Sequence, residues 1–471
     1  MSQTAADSHD VTPAERIPAS VLVAYALPMA GFSAATATLT LYLLKYSVDV
    51  LLVPPAAMGT IFMFARLWDA VTDPVVGQWS DRTSTRWGRR RPWMVAASVP
   101  ILITLVMIWS PPAELHGWQL VGWMTVGLLL YETAQTAFVV PYGALGMEIT
   151  DDHHERTRLF GWRQMIGAPG FLLGLGFVFV MRTAEEPREV ALVLAIAGGL
   201  LVAATALFAA WRIRERDDFS GRGGTNLWGA MLDVLRNRHA RLLFIVYGIE
   251  SFAAGSIGVM VPFLMDDVLG RYDLQEVLIA FYAVPQFLFI PIWIHLSKRI
   301  GKKTLWMWGM AAMIPGYGGI IWGAEGGPVL VIVLVTILAG GIGIASVVVP
   351  SIKADIIDFD ELQTGERKEG AYTAAWNFIR KAGAGLAIGG SGLLLQWSGY
   401  DGEAEVQTQT VKNTILLIGG GLPAIGYTIG MILFSRFSFN ELEHADVLAE
   451  LQRKRAEGSE AKQPSVQRRR I

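Results

Sequence analysis

Residues 66–82 read RLWDAVTDPVVGQWSDR and place one guanidinium and two carboxylates inside an otherwise apolar stretch. Asp69, Thr72 and Asp73 are spaced so that their side chains share one face of a helix. An ionised group costs about 2.5–3.5 kcal/mol at the centre of a membrane-spanning helix. If the stretch lies in a membrane, these side chains are therefore expected to face the interior of a helix bundle and to have a function there.

The composition indicates a membrane protein. The chain has 471 residues, of which 52% are hydrophobic and 17% are charged, and its mean hydropathy is +0.40. Soluble proteins carry about 25% charged residues. The absence of cysteine excludes disulfides, thiolate metal sites and cysteine nucleophiles. The N-terminal segment lacks the basic head, short apolar core and cleavage site of a signal peptide.

Apolar runs long enough to cross a bilayer predict twelve membrane-spanning helices. Lys and Arg are concentrated in the loops that follow the even-numbered spans, whereas the other loops are short, apolar or acidic. The positive-inside rule therefore places both termini in the cytoplasm. The predicted spans lie at about 20–47, 54–80, 92–110, 118–146, 159–181, 190–213, 241–265, 277–296, 303–323, 328–350, 371–397 and 412–436.

A weak internal repeat divides the chain into halves. The second span ends in GQWSDRTSTRWGRRRPW and the eighth in HLSKRIGKKTLW. The predicted fold class is an all-α membrane protein with two pseudo-symmetric six-helix bundles, a plan used by transporters with a central site. The predicted organisation is a cytoplasmic N-terminal segment (1–19), a first bundle (20–213), a cytoplasmic linker (214–240), a second bundle (241–436) and a cytoplasmic tail (437–471).

The paired carboxylates of the second span have two interpretations. In a dry site Asp69 and Asp73 repel each other, so a proton or a bound monovalent cation would relieve the repulsion. Carboxylate and hydroxyl oxygens suit hard cations, and Pro74 frees the nearby carbonyl oxygen of Ala70. The alternative is a structural ion pair with Arg66, one turn before Asp69, which needs no ligand.

Four further ionisable residues interrupt predicted spans, namely Glu132, Arg163, Glu250 and Lys381. Lys381 is expected to pair with the carboxylates of the second span or to bind substrate, and the alternative is snorkelling to the cytoplasmic surface. Glu132 and Glu250 are substrate-binding candidates or, alternatively, protonated helix-packing groups. Neighbouring polar or aromatic side chains complete the substrate-binding candidates: Gln135, Trp376 and Asn377.

Several other classes of function find no support in the sequence. The basic run 86–91 is expected to determine topology, not to bind nucleic acid. No phosphate-binding glycine motif, histidine metal spacing or nucleophile elbow is present, so we expect no enzyme activity. Asp81 and Arg82 begin the cytoplasmic loop after the second span, to which we assign gating and topology.

Three blocks of the sequence resemble one family. They are RLWDAVTDPVVGQWSDRTSTRWGRRRPW, VPYGALGMEITDDHHERTR and KADIIDFDELQTGERKEGAYTAAWNFIRKAG. Together they resemble the glycoside–pentoside–hexuronide:cation symporters of the major facilitator superfamily, typified by melibiose permease, and sodium-dependent lysophosphatidylcholine carriers share these signatures. The resemblance covers nearly the whole chain. It implies alternating-access symport coupled to Na⁺, or to H⁺ or Li⁺, with no other cofactor.

The resemblance also implies roles for individual residues. The family's cation site falls on Asp69, Thr72, Asp73 and Thr136, with the last of these on the fourth span. Lys381 falls on a lysine near substrate and cation, and Arg163 lies near the position of an arginine on the fifth span. Two acids between the tenth and eleventh spans match carboxylates linked to cytoplasmic gating, Asp355 and Asp358.

Departures from the family pattern leave the substrate open. The positions of the carboxylates that grip galactoside hydroxyls in melibiose-type carriers hold Ser33 and Val139, and an aromatic position holds Gly143. We expect a sugar or glycoside as substrate, with a lysophospholipid-like amphiphile as the alternative. A non-transporting membrane receptor is the alternative from another class. The expected setting is a bacterial inner membrane, where the chain acts as a monomer on a small molecule.

Overall fold

A computed structural model of the protein describes residues 16–150, 153–213, 215, 234, 236–271, 274–275, 277–279, 289–324, 344–365 and 369–460. Within these ranges every regular element is helical, and an isolated bridge joins Thr85 to Gly88. The chain divides into two compact units. The first unit comprises residues 1–53 and 71–223, and the second comprises residues 54–70 and 224–471.

The predicted first span is a succession of three helices, α1–α3. Pro28 occupies the first position of α2, where its missing amide hydrogen costs no hydrogen bond. The next helix, α4, carries Pro74 in its interior and contributes residues to both units. The helices up to the end of the first unit are α1 Ala19–Ala26, α2 Pro28–Leu41, α3 Leu43–Asp49, α4 Pro55–Arg82, α5 Arg91–Trp109, α6 Gly117–Glu148, α7 His153–Thr183 and α8 Pro187–Arg212.

The helices of the second unit include two short π-helical turns, at Leu264–Val268 and Leu417–Gly421. Parts of the predicted spans 277–296 and 328–350 lie outside the described residues. The described helices are α9 Arg238–Phe263, α10 Ile290–Ile300, α11 Lys302–Ala324, α12 Ile344–Thr364, α13 Glu369–Ser398, α14 Gln409–Leu416, α15 Leu422–Ser435 and α16 Glu441–Glu460.

The helix α12 continues well beyond the predicted end of the tenth span, at about residue 350. No helix-breaking residue follows Pro350 until Gly365, which adopts a left-handed conformation with φ 73°. The polar sequence KADIIDFDELQT therefore extends the apolar helix and carries Asp355 and Asp358 on its last turns.

Six helical segments in the described part of the chain are long and apolar enough to cross a membrane. Each coincides with one of the predicted spans, whereas the total of twelve spans stays a prediction. The six segments are Ala19–Leu41, Arg91–Trp109, Arg158–Thr183, Pro187–Arg212, Arg238–Val268 and Gln409–Ser435.

Small residues allow the helices of each unit to pack closely. In the first unit α2 packs along α7, where the backbone of Gly174 lies against Ala34 and Ala37. In the second unit α9 packs along α13, where Gly383 lies against the backbone of Gly248. Such contacts are typical of membrane bundles, in which van der Waals packing replaces the hydrophobic effect between helices.

The first half of α4 packs antiparallel to α13 within the second unit. A β-carbon added at Gly392 would lie 2.8 Å from the Cα of Gly59, and one added at Gly389 would lie 2.9 Å from the Cβ of Met63. One turn further along, a β-carbon at Gly385 would lie 2.9 Å from the Cβ of Arg66. This glycine face fixes the register of α4 on α13 over the turns of α4 that precede Asp69.

We predict that Gly392→Ala destabilises the protein by about 1–3 kcal/mol, because the new methyl group overlaps the α4 backbone. Thermal unfolding in detergent, followed by tryptophan fluorescence, measures the effect. Gly390→Ala is the matched control, since a β-carbon there meets nothing within 4 Å and alanine favours the helix. Equal unfolding temperatures for the two variants would contradict the close packing of α4 on α13.

Candidate functional site

The second unit pairs one carboxylate of α4 with the lysine of α13. The Nζ of Lys381 lies 2.7 Å from the Oδ2 of Asp69, and the two side chains are 15% and 7% exposed. The ammonium group therefore pairs with α4, a geometry that does not fit the snorkelling alternative. Removal of one partner of a buried ion pair leaves an uncompensated charge, which costs about 3–5 kcal/mol.

The first unit holds the other carboxylate of α4. The Oγ1 of Thr136 on α6 donates a hydrogen bond of 3.2 Å to the Oδ1 of Asp73. Thr136 is buried, and Thr72 and Asp73 are partly buried. Two carboxylates separated by one helical turn thus have different partners, an ammonium group for Asp69 and a hydroxyl group for Asp73.

The oxygen atoms of this part of α4 suit a hard monovalent cation. The carboxylate of Asp73 and the hydroxyl of Thr136 are such ligands, and Thr72 lies on the same helical face as both carboxylates. In the described ranges, no three His, Cys, Asp or Glu side chains are arranged to hold a metal ion. The candidate site combines the hydroxyl group of Thr136 with the carboxylate of Asp73.

Glu132 and Gln135 lie near this hydroxyl group on α6. Glu132 is one turn before Thr136 on the same helical face and is only 2% exposed. Gln135 is partly buried on the neighbouring face. Glu132 therefore shares the face that reaches Asp73.

Arg163 on α7 lies over aromatic rings in the first unit. Its Cζ is 5.2 Å from the ring centroid of Tyr142 and 5.9 Å from that of Phe160. The ring of Tyr142 stacks on Tyr25 at 4.5 Å, and its hydroxyl donates to the backbone carbonyl of Tyr25. The rings orient the guanidinium through cation–π attraction. Sequence reasoning did not find Tyr25 or Tyr142, because buried aromatic residues are common in such helices.

Trp376 on α13 stacks on Tyr247 of α9 with ring centroids 3.9 Å apart. The Nζ of Lys353 on α12 lies 5.9 Å from the Trp376 ring centroid. Asn377 follows on α13 and is partly buried. Lys353 was missed because it lies just beyond the predicted end of the tenth span. Lys381 was found as an ionisable residue inside a predicted span, and a longer tenth span would have identified Lys353 in the same way.

Glu250 on α9 contacts a neighbouring helix. The Nε1 of Trp306 on α11 donates a hydrogen bond of 2.8 Å to its Oε1. Both residues are buried, and the ring of Trp306 packs on Phe434 at 4.3 Å. This geometry fits the helix-packing alternative for Glu250.

The first pair of predicted gating residues lies at the end of α4. Asp81 forms an ion pair with Arg90, whose guanidinium also contacts Glu148 at 3.2 Å and donates to Ser80 at 2.7 Å. Arg82 is exposed. Glu148 lies at the end of α6 and connects the two helix ends through Arg90. The predicted boundary of the fourth span ended just before this residue.

The second pair of gating residues lies on α12. The Nζ of Lys302 is 2.6 Å from Asp355, and the Nε2 of His444 is 3.1 Å from Asp358. The Nδ1 of His444 also lies 3.5 Å from Asp355. His444 belongs to the predicted tail, where sequence reasoning assigned no site.

Comparisons with known proteins identify the family and the fold of the chain. A family model described as MFS/sugar transport protein matches residues 24–441. Among solved structures, the nucleoside transporter NupG superposes with a TM-score of 0.65 at 16% identity, over 88% of this chain and 98% of that one. This likeness confirms the predicted all-helical transporter fold.

Curated relatives cover most of both chains. A glucuronide carrier protein homolog of Escherichia coli is 28% identical over 87% of this chain and 91% of its own. The inner membrane symporter YicJ of Escherichia coli is 25% identical over 84% and 86%. A sodium-dependent lysophosphatidylcholine symporter 1-A of Danio rerio is 24% identical over 89% and 85%. The sequence resemblance is therefore confirmed, and the chain is a multi-pass membrane transporter.

We predict that Trp306→Phe destabilises the protein by about 1–3 kcal/mol, because it removes the donor to the buried Glu250 carboxyl group. Glu250→Gln is the matched variant, since its amide oxygen can still accept from Trp306. It is expected to unfold at the wild-type temperature and to keep wild-type substrate affinity. A large loss of affinity in Glu250→Gln with unchanged stability would instead assign Glu250 to the substrate.

Proposed function

The chain belongs to the MFS/sugar transport protein family, and from this premise we propose that it is a cation-coupled symporter that works by alternating access. In this proposal two six-helix halves, 20–213 and 241–436, give twelve spans with both termini in the cytoplasm of a monomer. The protein is placed in the plasma membrane, in agreement with its inner-membrane relative.

The observation that carries the proposal is the contact between the Asp73 carboxylate and the Thr136 hydroxyl, because two oxygen groups 3.2 Å apart are ligands that suit a hard cation. Lys381 already neutralises Asp69 at 2.7 Å. Asp73 accepts a hydrogen bond from the hydroxyl group of Thr136. We assign the charge of Asp73 to the coupling ion because a carboxylate beside a hydroxyl group offers the oxygen ligands that a hard monovalent cation takes.

The proposed cation site consists of Asp69, Thr72, Asp73 and Thr136. Oxygen ligands of this kind bind Na⁺ or Li⁺, and protonation of Asp73 would remove the same charge. The sodium-dependent relative supports Na⁺ as the coupling ion. Each of these ions neutralises the carboxylate inside the bundle, so the loaded carrier changes conformation without an exposed charge.

Cation and substrate are coupled through Lys381 in this proposal. A cation near Asp69 and Asp73 competes with the ammonium group of Lys381 for the Asp69 carboxylate. Lys381 is then available to a hydroxyl, carboxylate or phosphate group of the substrate. Because the two binding free energies are linked, the coupling is reciprocal. If the cation raises the affinity for the substrate by a certain factor, the substrate raises the affinity for the cation by the same factor.

We assign the substrate to the sugar or glycoside class. The family description and the glucuronide carrier relative support this class. The proposed ligands are a guanidinium held over rings, a stacked aromatic pair and further polar groups, the kinds of side chain that orient small solutes in largely apolar sites. These residues are Glu132, Gln135 and Arg163 of the first unit and Trp376, Asn377 and Lys381 of the second; Glu250, the remaining candidate from the sequence, is assigned to helix packing with Trp306.

A lysophospholipid-like amphiphile is the second candidate. The relative from Danio rerio, matched over 89% of this chain, supports it. Ser33 and Val139 occupy the positions at which melibiose-type carriers have carboxylates that bind the hydroxyl groups of galactosides. This difference from the family pattern favours a less polar substrate. In either case the cation site and the alternating-access mechanism are the same.

We predict that Na⁺ or Li⁺ raises the unfolding temperature of the wild-type protein at constant ionic strength, because the ion binds the folded state. Asp73→Asn is expected to abolish this rise, since it removes the charge that the ion neutralises. Thr136→Ala is expected to weaken cation affinity by about tenfold through loss of one oxygen ligand.

The control for Thr136→Ala is Thr125→Ala on the same helix, because the Thr125 hydroxyl donates to the backbone carbonyl of Val121. It is expected to keep wild-type cation affinity. If neither Na⁺, Li⁺ nor pH shifts stability, or if Asp73→Asn responds as the wild type does, the proposed cation site is wrong.

We predict that glucuronides or neutral glycosides stabilise the protein more strongly when the coupling ion is present, by a coupling factor of about 5–150. Parallel titrations with lysophosphatidylcholine below its critical micelle concentration test the second candidate. Cation-dependent stabilisation by the lysolipid alone would reject the sugar assignment and retain symport. Lys381→Ala is expected to remove the coupling between substrate and cation.

A further inference from the structure

The C-terminal helix α16 is part of the second unit and not a loose tail. Its side chains Val447 and Leu451 are 7% and 6% exposed and join the buried hydrophobic cluster of this unit. Phe439, in the segment before α16, is also buried and packs against Phe359 of α12 with ring centroids 5.3 Å apart. The helix is therefore attached to the polar end of α12 by apolar contacts.

Polar contacts attach α16 to two further helix ends. The Oε1 of Glu441 accepts a hydrogen bond of 2.6 Å from the backbone amide of Lys302, at the first residue of α11. This places a carboxylate at a helix N-terminus, where it is electrostatically favourable. The side chain of Lys302 pairs with Asp355, and Lys454 of α16 donates to the carbonyl of Leu362 at 3.3 Å.

His444 of α16 lies between the two acids of α12. Its Nε2 is 3.1 Å from Asp358 and its Nδ1 is 3.5 Å from Asp355. A neutral imidazole donates from one ring nitrogen and presents a lone pair at the other, so it satisfies only one of these carboxylates. A protonated imidazole donates to both, and its charge strengthens both contacts.

We propose that His444 is a positioning residue that makes the docking of α16 on α12 depend on cytoplasmic pH. At acid pH the imidazolium ion holds Asp355 and Asp358 together against α16. At alkaline pH the contact with one carboxylate is lost and α16 separates more readily from α12. This inference rests on the proposed function in one respect: if Asp355 and Asp358 act in cytoplasmic gating, as the family resemblance implies, conformational exchange of the transporter is slower at acid pH.

The charged groups around His444 come from several elements. Lys302 of α11 faces Asp355, and Glu441 and Glu443 lie on α16 itself. The second histidine of the region, His239 of α9, is packed edge-on against Phe359 and Phe437, and its Nε2 is 3.1 Å from the Nε of Arg238. His444 is the histidine whose ring nitrogens lie beside Asp355 and Asp358.

The test uses the absence of native cysteine in the chain. Val447→Cys places a thiol at a position that is 7% exposed, so its maleimide labelling in membrane vesicles reports the separation of α16. Leu442→Cys, at a position that is 78% exposed on the same helix, is the matched reference. The ratio of the two labelling rates cancels the pH dependence of thiol reactivity.

We predict that this ratio falls by about tenfold between about pH 8.5 and pH 5.5, the range in which histidine changes charge. In the His444→Gln background the ratio is expected to be independent of pH, because glutamine keeps a donor and an acceptor without titrating. In the His239→Gln background the ratio should keep its pH dependence. Asp358→Asn, a second variant, is expected to weaken the dependence.

A pH-independent ratio in the wild type, or a pH dependence that survives in His444→Gln, would overturn the proposal. Loss of the dependence in His239→Gln alone would assign the switch to His239 and overturn it as well. The labelling assay requires no transport. Its result therefore tests the role of His444 independently of whether the protein is a symporter. Where transport is measured, the turnover ratio of His444→Gln to the wild type should rise as cytoplasmic pH falls.

Discussion

The ion pair between Lys381 and Asp69 is the interaction on which the site depends, and its geometry is set by residues without side chains. The glycines of α13 that face α4 allow the two backbones to approach until Gly59 lies against Gly392. That register, continued along both helices, leads to the 2.7 Å contact. A larger residue at the glycine face would separate the helices and leave a buried charge unpaired, so packing and electrostatics act as one constraint.

A single helix presents its two carboxylates to different chemical partners. Asp69 has an ammonium partner on α13, and Asp73 has a hydroxyl partner on α6. Because the two side chains are one turn apart on α4, neutralisation of either changes the electrostatic field at the other. Through α4, a change in the charge of Asp73 therefore affects the ion pair between Asp69 and Lys381, the lysine that we assign to the substrate. The interior proline of α4 does not interrupt this arrangement, since the helix continues through Pro74 to Arg82.

The sequence predicted the residues whose charge contrasts with their surroundings. Asp69, Asp73 and Lys381 were found because carboxylates and amines are rare in apolar runs, and the helical class followed from the same runs. Tyr247 and Trp306 were missed because aromatic residues are frequent in membrane helices and give no local contrast. The role of His444 depends on how a tail helix folds back on α12, a long-range contact that no local pattern encodes.

The two candidate substrates make similar demands on the polar residues. Ser33 lies in the contact between α2 and α7, where its Oγ would be 3.2 Å from a β-carbon added at Gly167, and we assign substrate recognition to other groups. The guanidinium of Arg163 and the ammonium of Lys381 donate equally well to sugar hydroxyls, to a uronate carboxylate and to a phosphate ester. What separates a glycoside from a lysophospholipid is the acyl chain, which needs continuous apolar surface beside these donors. In our proposal the choice between the two classes therefore depends on the apolar side chains beside Arg163 in the first unit and beside Trp376 in the second, and not on the charged residues that are conspicuous in the sequence.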